Sequence, residues 1–402
     1  MASYNKKILI LGANANQVPL IKRAKRFGLY TVVCDFRIDV PGIELADRFY
    51  QANCLDVDYI VKIGQKERVD GIVTNSEPLF LAMSKISRKL NLRCLTEETT
   101  NLFKNKYLMR EFCSKNGISS PKYRLCPDIK EAIEFYETIQ KKCIIKPLDN
   151  SASRGVFSIN SKDDLLKHFE ECIGNATIVN KGVIIEEYIS GTEFTIDGIK
   201  TNSGHKSLVI SKKKHYNYNE NVAYQLYFSD ADKLFDYTSL RETNDFLVNQ
   251  TNMPFGLTHA EYKYHNGQFY LIEIQARGGG GFIATDIVPY MSGVDTYDMN
   301  ILWAIGEDVD IQFDYNCLQK RYAVLHFFDT PKEEGKVTRI EGEDILEKET
   351  MKYELFFKIG DTIHRATNDS ARVGYYIACS ESEERLLQLM KNIDETFKII
   401  LE

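Results

Sequence analysis

The residues best suited to chemistry lie between 259 and 281. They read His259-Ala260-Glu261, then Glu273-Ile274-Gln275-Ala276-Arg277, then four glycines at 278 to 281. The flanking residues read as two strands, and Asn266-Gly267 marks the turn between them. If the turn holds two residues, 266 and 267, the pairing puts Glu261 and Glu273 on opposite faces. If it holds three, 265 to 267, with Gly267 left-handed in a bulge, 261 pairs with 271 and 259 with 273. His259, Glu261, Glu273 and Gln275 then share a face, with the carboxylates as diagonal neighbours. Like charges so placed repel unless a cation sits between them. Hard oxygen ligands without a dedicated cage, next to phosphates, suit Mg2+. A magnesium site at Glu261 and Glu273 thus requires the three-residue turn; otherwise the two acids are a solvated face.

Two lysines precede this cluster. Lys106 follows Leu102 by four residues in a helical stretch from Thr99 to Asn116, on the stripe of Met109, Phe112 and Cys113. A lysine on an inward face either snorkels its ammonium outward or meets a buried anion. Lys146 ends the strand Cys143–Ile145 and precedes Pro147. The loop Asp149-Asn150-Ser151-Ala152-Ser153-Arg154-Gly155 then leads into Val156–Ile159. Small residues let backbone N–H groups approach phosphate oxygens, and a lysine adds a point charge. The alternative is a solvated hairpin loop. No GK[ST] opens a helix here, so this is not a Walker A loop. In Val-Ile-Ile-Glu-Glu-Tyr (183 to 188), Glu186 and Glu187 point to opposite faces. An inward one needs a donor, such as an adenine amino group or a ribose hydroxyl.

The first ~97 residues alternate strand and helix. Ile8–Leu11 ends at Gly12, a helix with Val18, Ile21 and Ala24 follows, and Thr31–Cys34 and Val69–Thr74 are further strands. This pattern predicts a parallel, Rossmann-like sheet. Its first turn, Gly-Ala-Asn-Ala-Asn-Gln, has one glycine where the dinucleotide fingerprint needs three, which argues against NAD. The middle, ~98 to ~312, mixes strands and helices with a tight turn at Asn202-Ser203-Gly204. The last ~90 residues predict a small α+β unit. Arg321–Phe328, Tyr353–Ile359 and Val373–Cys379 read as strands, and Glu381–Ile400 as a final helix.

The chain has 402 residues, 44% of them hydrophobic and 27% charged, enough for a core in two or three domains. A net charge of −6 argues against a dedicated nucleic-acid binder. The nine cysteines form no CxxC pair and are odd in number, which suits a reduced cytoplasmic protein. No apolar run approaches the ~18 residues that span a bilayer.

The order Lys106 in Asn-Lys-Tyr-Leu-Met-Arg, Lys146 with its loop, Glu186-Glu187-Tyr188-Ile189 with Glu193, and E-x(11)-E-x-Q-x-R resembles the ATP-grasp superfamily. That group includes biotin carboxylase, carbamoyl phosphate synthetase, L-amino-acid ligases and the glycinamide ribonucleotide enzymes. The resemblance covers nearly the whole chain. It implies a Rossmann-like domain over 1–97, an ATP-grasp domain over 98–312 with a lid at about 122–188, and a small C-terminal domain over 313–402. Gly335-Lys336-Val337 and Asp369-Ser370-Ala371-Arg372-Val373-Gly374 look most like L-amino-acid ligases and carbamoyl-phosphate-synthetase-like proteins.

The resemblance also implies roles. Lys106 and Lys146 would contact ATP phosphates, and the loop with Ser151, Ser153 and Gly155 would close over them. Glu186, Glu187 and the backbone at Tyr188 and Ile189 would surround adenine, and Glu193 would hold ribose. Glu261, Glu273 and Gln275 would hold two Mg2+, with Mn2+ able to substitute. Arg277 would stabilise the transferring phosphoryl. Apart from the resemblance, Glu77 in Thr-Asn-Ser-Glu-Pro-Leu-Phe either reaches the substrate from the N-terminal domain or caps a helix, and His259 is a further substrate candidate. The implied enzyme is an ATP-dependent carboxylate–amine ligase working through an acyl-phosphate. Its partners are a small carboxylic acid and an amine or amino acid, with no nucleic acid or membrane; a homodimer is compatible. Alternatives are a purine-pathway enzyme of the phosphoribosylamine–glycine ligase type and a carboxyphosphate-forming enzyme. Rivals from other classes are a non-catalytic nucleotide-binding module and a Rossmann oxidoreductase. Two departures stand out: Gln275 where Asn is usual, and Asn105 where Asp is common.

Overall fold

The computed structural model describes residues 5–150, 154–176 and 182–402. Ser151 and Ser153 lie outside the described residues. Near the N-terminus, strands Lys7–Leu11, Tyr30–Asp35, Arg48–Gln51 and Gly71–Val73 form a four-stranded parallel sheet. The runs at 8–11 and 31–35 are buried throughout, as strands of a sheet covered on both faces must be. Helices Val18–Arg26, Val57–Glu67 and Phe80–Leu90 supply that cover. Gly12 ends the first strand at a φ of +96°, where a side chain would be strained and would meet Gln17.

A second, antiparallel sheet orders Tyr123–Cys126, Val183–Glu187, Cys143–Pro147 and Phe157–Ile159. Helices Ile129–Ile139 and Lys162–Gly174 bury Ala132, Phe135, Leu165 and Phe169 against Ile145 and Ile185. Its other face carries Lys146 and Glu186.

The centre is an eight-stranded antiparallel sheet. Its order is Gln268–Gln275, Gly256–His265, Thr192–Thr201, Gly204–Tyr216, Asn219–Phe228, Tyr322–Phe327, Gly374–Ser380, Lys352–Leu355. Period-two alternation makes two cores. Phe194, Ile196, Ile210, Ala260 and Tyr262 pack with Leu240 and Leu247 of helix Tyr237–Gln250. Leu226, Phe228, Leu325 and Ile377 pack with Ile287 and Met291 beyond the glycine run. The strands after residue 313 thus continue the central sheet; only Glu334–Glu341, Thr362–His364 and Lys398–Leu401 pair apart from it.

Three expectations are corrected. The stretch 99–116 is two helices, Glu97–Lys104 and Lys106–Lys115, broken at Asn105. Asn105 is extended, and its side chain accepts from the N–H groups of Tyr107 and Leu108, so it caps a new helix instead of continuing the old one. Asn caps as well as Asp does, which makes that departure neutral for the fold. The final helix ends at Thr396, because Lys398–Leu401 pairs with Glu334–Glu341 and buries Ile399. The hairpin at 266–267 is the two-residue type: His265 pairs with Gln268, and Asn266 and Gly267 have φ of 48° and 81°. These are the two left-handed residues of a type I′ turn.

Candidate active site

A two-residue turn should have separated the carboxylates. It does not, because the register slips by one between Glu261 and Tyr262. Tyr262 pairs with Leu271 but Glu261 pairs with Glu273, leaving Ile272 as the extra residue of a bulge. Glu261 and Glu273 are therefore direct cross-strand partners on one face, together with His259 and Gln275, which also pair. The side chains confirm the slip: Leu271 and Ile274, three residues apart, enter the same core.

Each carboxylate meets a lysine. Glu273 lies 2.9 Å from Lys106 Nζ, and Glu261 lies 2.7 Å from Lys213 Nζ. Lys106 is buried at the start of its helix and also donates to the Asn150 carbonyl, while its own N–H donates to Leu148. This ties the helix to the segment that follows the strand Cys143–Pro147. Burial opposes the charge on Glu273, but Lys106 outweighs it and holds the pKa at about 2. The same pairing raises Lys106 against its own desolvation.

Glu186 is inward, as one of the two glutamates had to be, and Glu187 is on the other face, accepting from the Lys122 N–H. The donors to Glu186 come from the chain itself: Lys146 at 2.6 Å and Arg110 at 2.9 Å. Burial opposes its ionisation, and these two cations keep it ionised. Lys146 is pushed down by burial and then by Arg110 and Lys106. Lys106, Lys146 and Arg110 thus converge on Glu186 and Glu273, and the Glu77 carboxylate also acts on Lys106.

Glu193 lies 2.7 Å from Lys213 and 3.5 Å from His215, with Lys263 at 3.9 Å. Its pKa is lowered because Lys213 outweighs burial. Tyr188 stacks under Lys142 at 4.0 Å and donates to Glu220; Ile189 is buried. Gly155 has a φ of +72°, and a Cβ there would stand 2.7 Å from Asn175 Cβ. Glycine is thus required at the end of that loop on two counts.

On the same strand as Glu261, His259 Nδ1 is 2.9 Å from the buried Asp197 carboxylate, whose other oxygen accepts the Gly279 N–H at 2.7 Å. A Cβ on Gly279 would stand 2.9 Å from both side chains, so the glycine run is pinned against the sheet by an acid–histidine pair. Arg277 Nε lies 3.8 Å from Glu77, and Nη1 donates to the Gly278 carbonyl. Arg277, Glu77, Asn16, Asn75, Tyr297 and Phe282 line a cleft between the first turn of the parallel sheet and the glycine run. Phe282 is left-handed, with φ 65°, a conformation costly for a bulky residue and found where function fixes the chain.

Three residues of this site escaped the reading of the sequence: Arg110, Asp197 and Lys213. Arg110 had a signal, since it follows Lys106 by four residues on one helix face. Asp197 shares the period-two face of Glu193. Lys213 sits in a run of three lysines, and a second one-residue slip, between Ser207 and Val209, decides which of them faces Glu193.

The donors present fit a hard divalent cation. Glu261 and Glu273 are opposed in register, and Gln275 Oε1 is buried without a hydrogen-bond partner while its amide donates to Glu273. Among the described residues no group of three or more His, Cys, Asp and Glu side chains converges on a metal position. The candidate set is instead two carboxylates and an amide.

An antiparallel central sheet with a small antiparallel sheet facing it, and lysines and opposed carboxylates between them, is the architecture of the ATP-grasp class. Residues 139–286 match the ATP-grasp domain, and residues 327–402 match the L-amino acid ligase C-terminal domain 2. The chain thus carries an ATP-grasp domain followed by the C-terminal domain of L-amino acid ligases. It is 28% identical over 185 residues to the formate-dependent phosphoribosylglycinamide formyltransferase of Syntrophotalea carbinolica, covering 46% of this chain and 47% of that one. It spans about half the length of the curated relatives it matches. The L-amino acid ligase from Bacillus licheniformis superposes with a TM-score of 0.80 at 19% identity over 100% of both chains. The biotin carboxylase domain of the Hydrogenobacter thermophilus 2-oxoglutarate carboxylase, in complex with MgADP, superposes with a TM-score of 0.77 at 14% identity, covering 98% and 91%. These likenesses are of fold. No helix among the described residues is long and apolar enough to cross a membrane.

Proposed function

We propose that this chain is an ATP-dependent carboxylate–amine ligase that forms an amide through an acyl-phosphate. The observation that carries the reading is the bulge that opposes Glu261 to Glu273 beside Lys106, Lys146 and Arg277. Lys106 and Lys146 hold the phosphates of ATP, and Glu193 and the backbone at Tyr188 and Ile189 face the nucleoside. Glu261, Glu273 and Gln275 would hold Mg2+, which when bound offsets phosphate charge. The substrate carboxylate attacks the γ-phosphorus, the bond to the β,γ-bridging oxygen breaks and ADP leaves, while Arg277 stabilises the charge that spreads over the transferring phosphoryl. The amine then attacks the acyl carbon, inorganic phosphate leaves, and the nitrogen loses a proton to give the amide. Water must be kept out, or the acyl-phosphate hydrolyses; the segment that ends at Gly155 is the one we assign to that task.

The test is thermal unfolding with ATP plus Mg2+, followed by ADP release with pairs of acids and amines and trapping of the acyl-phosphate by hydroxylamine. Protection by Mg·ATP and acid-dependent hydroxamate are expected. Protection by NAD and none by ATP would overturn the reading. A second reading rests on the Syntrophotalea relative: formate as the acid and phosphoribosylglycinamide as the amine. Formate-dependent ADP release that requires phosphoribosylglycinamide would select it.

A further inference from the structure

Next to the cleft lies a second, largely apolar cavity. Ile72, Met83, Leu95, Phe255, Leu257 and Trp303 are on its wall. They belong to different cores: Ile72 and Met83 to the parallel sheet, Leu95 to one side of the central sheet, Phe255 to the other, Leu257 to the contact between the two bodies. The space is what remains where separately packed bodies meet, a common position for ligand pockets. Arg277, Gly278, Asn75 and Tyr297 line both the cavity and the cleft, so the two are joined at Arg277. The charged side chains on the cavity wall are Arg93 and Arg277, with no carboxylate among the described lining residues. Arg93 is already engaged by the Glu307 carbonyl at 2.9 Å and Asp308 at 3.6 Å. Glu77 lines the cleft and not the cavity.

We propose that this cavity receives the apolar chain of the acid substrate, whose carboxylate is held at Arg277. The inference rests on the ligase reading and narrows its substrate to acids with an aliphatic or aromatic chain. An acid suits the site because Arg277 stands on the wall shared with the cleft, Glu77 lines the cleft alone at 3.8 Å from Arg277, and the interior offers apolar area with no carboxylate among its described lining residues. An amine of the same length suits it poorly, since inside the cavity its ammonium meets Arg277 and no anion.

Trp303 is the chain's only tryptophan, stacked on Phe255 with ring centroids 5.0 Å apart, so its fluorescence reports on the cavity without any turnover. The 402-residue chain is titrated with acetate, butyrate and hexanoate, and with hexylamine. Each buried methylene should tighten binding about fourfold, from about 0.8 kcal/mol per CH2. The carboxylates are expected to shift Trp303 emission saturably with that chain-length dependence, and hexylamine to give none. Affinity that is flat with chain length, or an equal response to hexylamine, would overturn the proposal. Ala304 lines the same cavity, and Ala304→Leu should weaken hexanoate at least tenfold while sparing acetate. If that variant melts like the parent and binds hexanoate unchanged, the cavity is not the site. If it does not fold, the chain-length series on the parent decides. Thermal protection by Mg·ATP separates the two readings: protection with a flat series removes the pocket alone, and absent protection removes the ligase.

Discussion

Glu261 and Glu273 face each other across a hairpin whose turn, counted alone, would have put them on opposite sides. The extra residue at Ile272 restores the pairing. Its carbonyl accepts a hydrogen bond from Arg110 at 2.6 Å, and the neighbouring Leu271 N–H donates to Ser119. The bulge is therefore held from outside the hairpin, by the helix that begins at Lys106.

Because the two carboxylates are proposed as metal ligands, Glu273→Gln should raise the Mg2+ concentration needed for half-maximal ATP turnover by roughly tenfold or more. Excess Mg2+ or Mn2+ should recover part of the activity. A metal titration of turnover checks this; an unchanged midpoint would take Glu273 out of the metal site.

Arg277→Ala should lower kcat by ~10²–10³, or about 3–4 kcal/mol, and leave ATP affinity nearly intact. Turnover and nucleotide binding measured on the same variant separate the two effects. A variant that loses ATP affinity and keeps kcat contradicts the phosphoryl role.

Arg110 is almost completely buried and pairs with the buried Glu186. Arg110→Met leaves Glu186 with Lys146 alone and frees the Ile272 carbonyl. The expected loss is about 3 kcal/mol or more in urea unfolding. Nucleotide affinity should fall with it, because the bulge loses its anchor.

Acid should act through Glu273. Its folded pKa is about 2 against an ordinary 4.5, so the stabilisation from its charge is present above pH ~4.5 and is lost as pH falls toward 2. Lys106→Met removes the cation responsible, so it should flatten the fall in stability between those pH values. Urea midpoints at pH 6, 4 and 3 for the parent and variant give the slope; equal slopes would mean another carboxylate governs acid unfolding.

Much of the architecture was legible from local pattern. Buried apolar runs separated by amphipathic helices announced the parallel sheet, and alternation announced the hairpin with Asn266-Gly267 at its turn. The chemistry-bearing residues were legible as types: Lys106, Lys146, Glu186, Glu193, Glu261, Glu273 and Arg277 stand out because charges at inward positions demand partners. Their partners were not legible. Glu186 is answered by Arg110 from a helix 76 residues away in sequence, and Glu261 by Lys213 from another strand. Nor did alternation reveal which side of the sheet they occupy, since a strand of period two inverts every side chain when one residue is added. Leu208 and Ile272 are those added residues, and each is buried or bonded in a way only the assembled protein supplies. By itself the sequence determined that a cluster of cations and carboxylates would form around a strand hairpin. The tertiary structure decided its facing, because the energy of a bulge is met by contacts with elements remote in the chain.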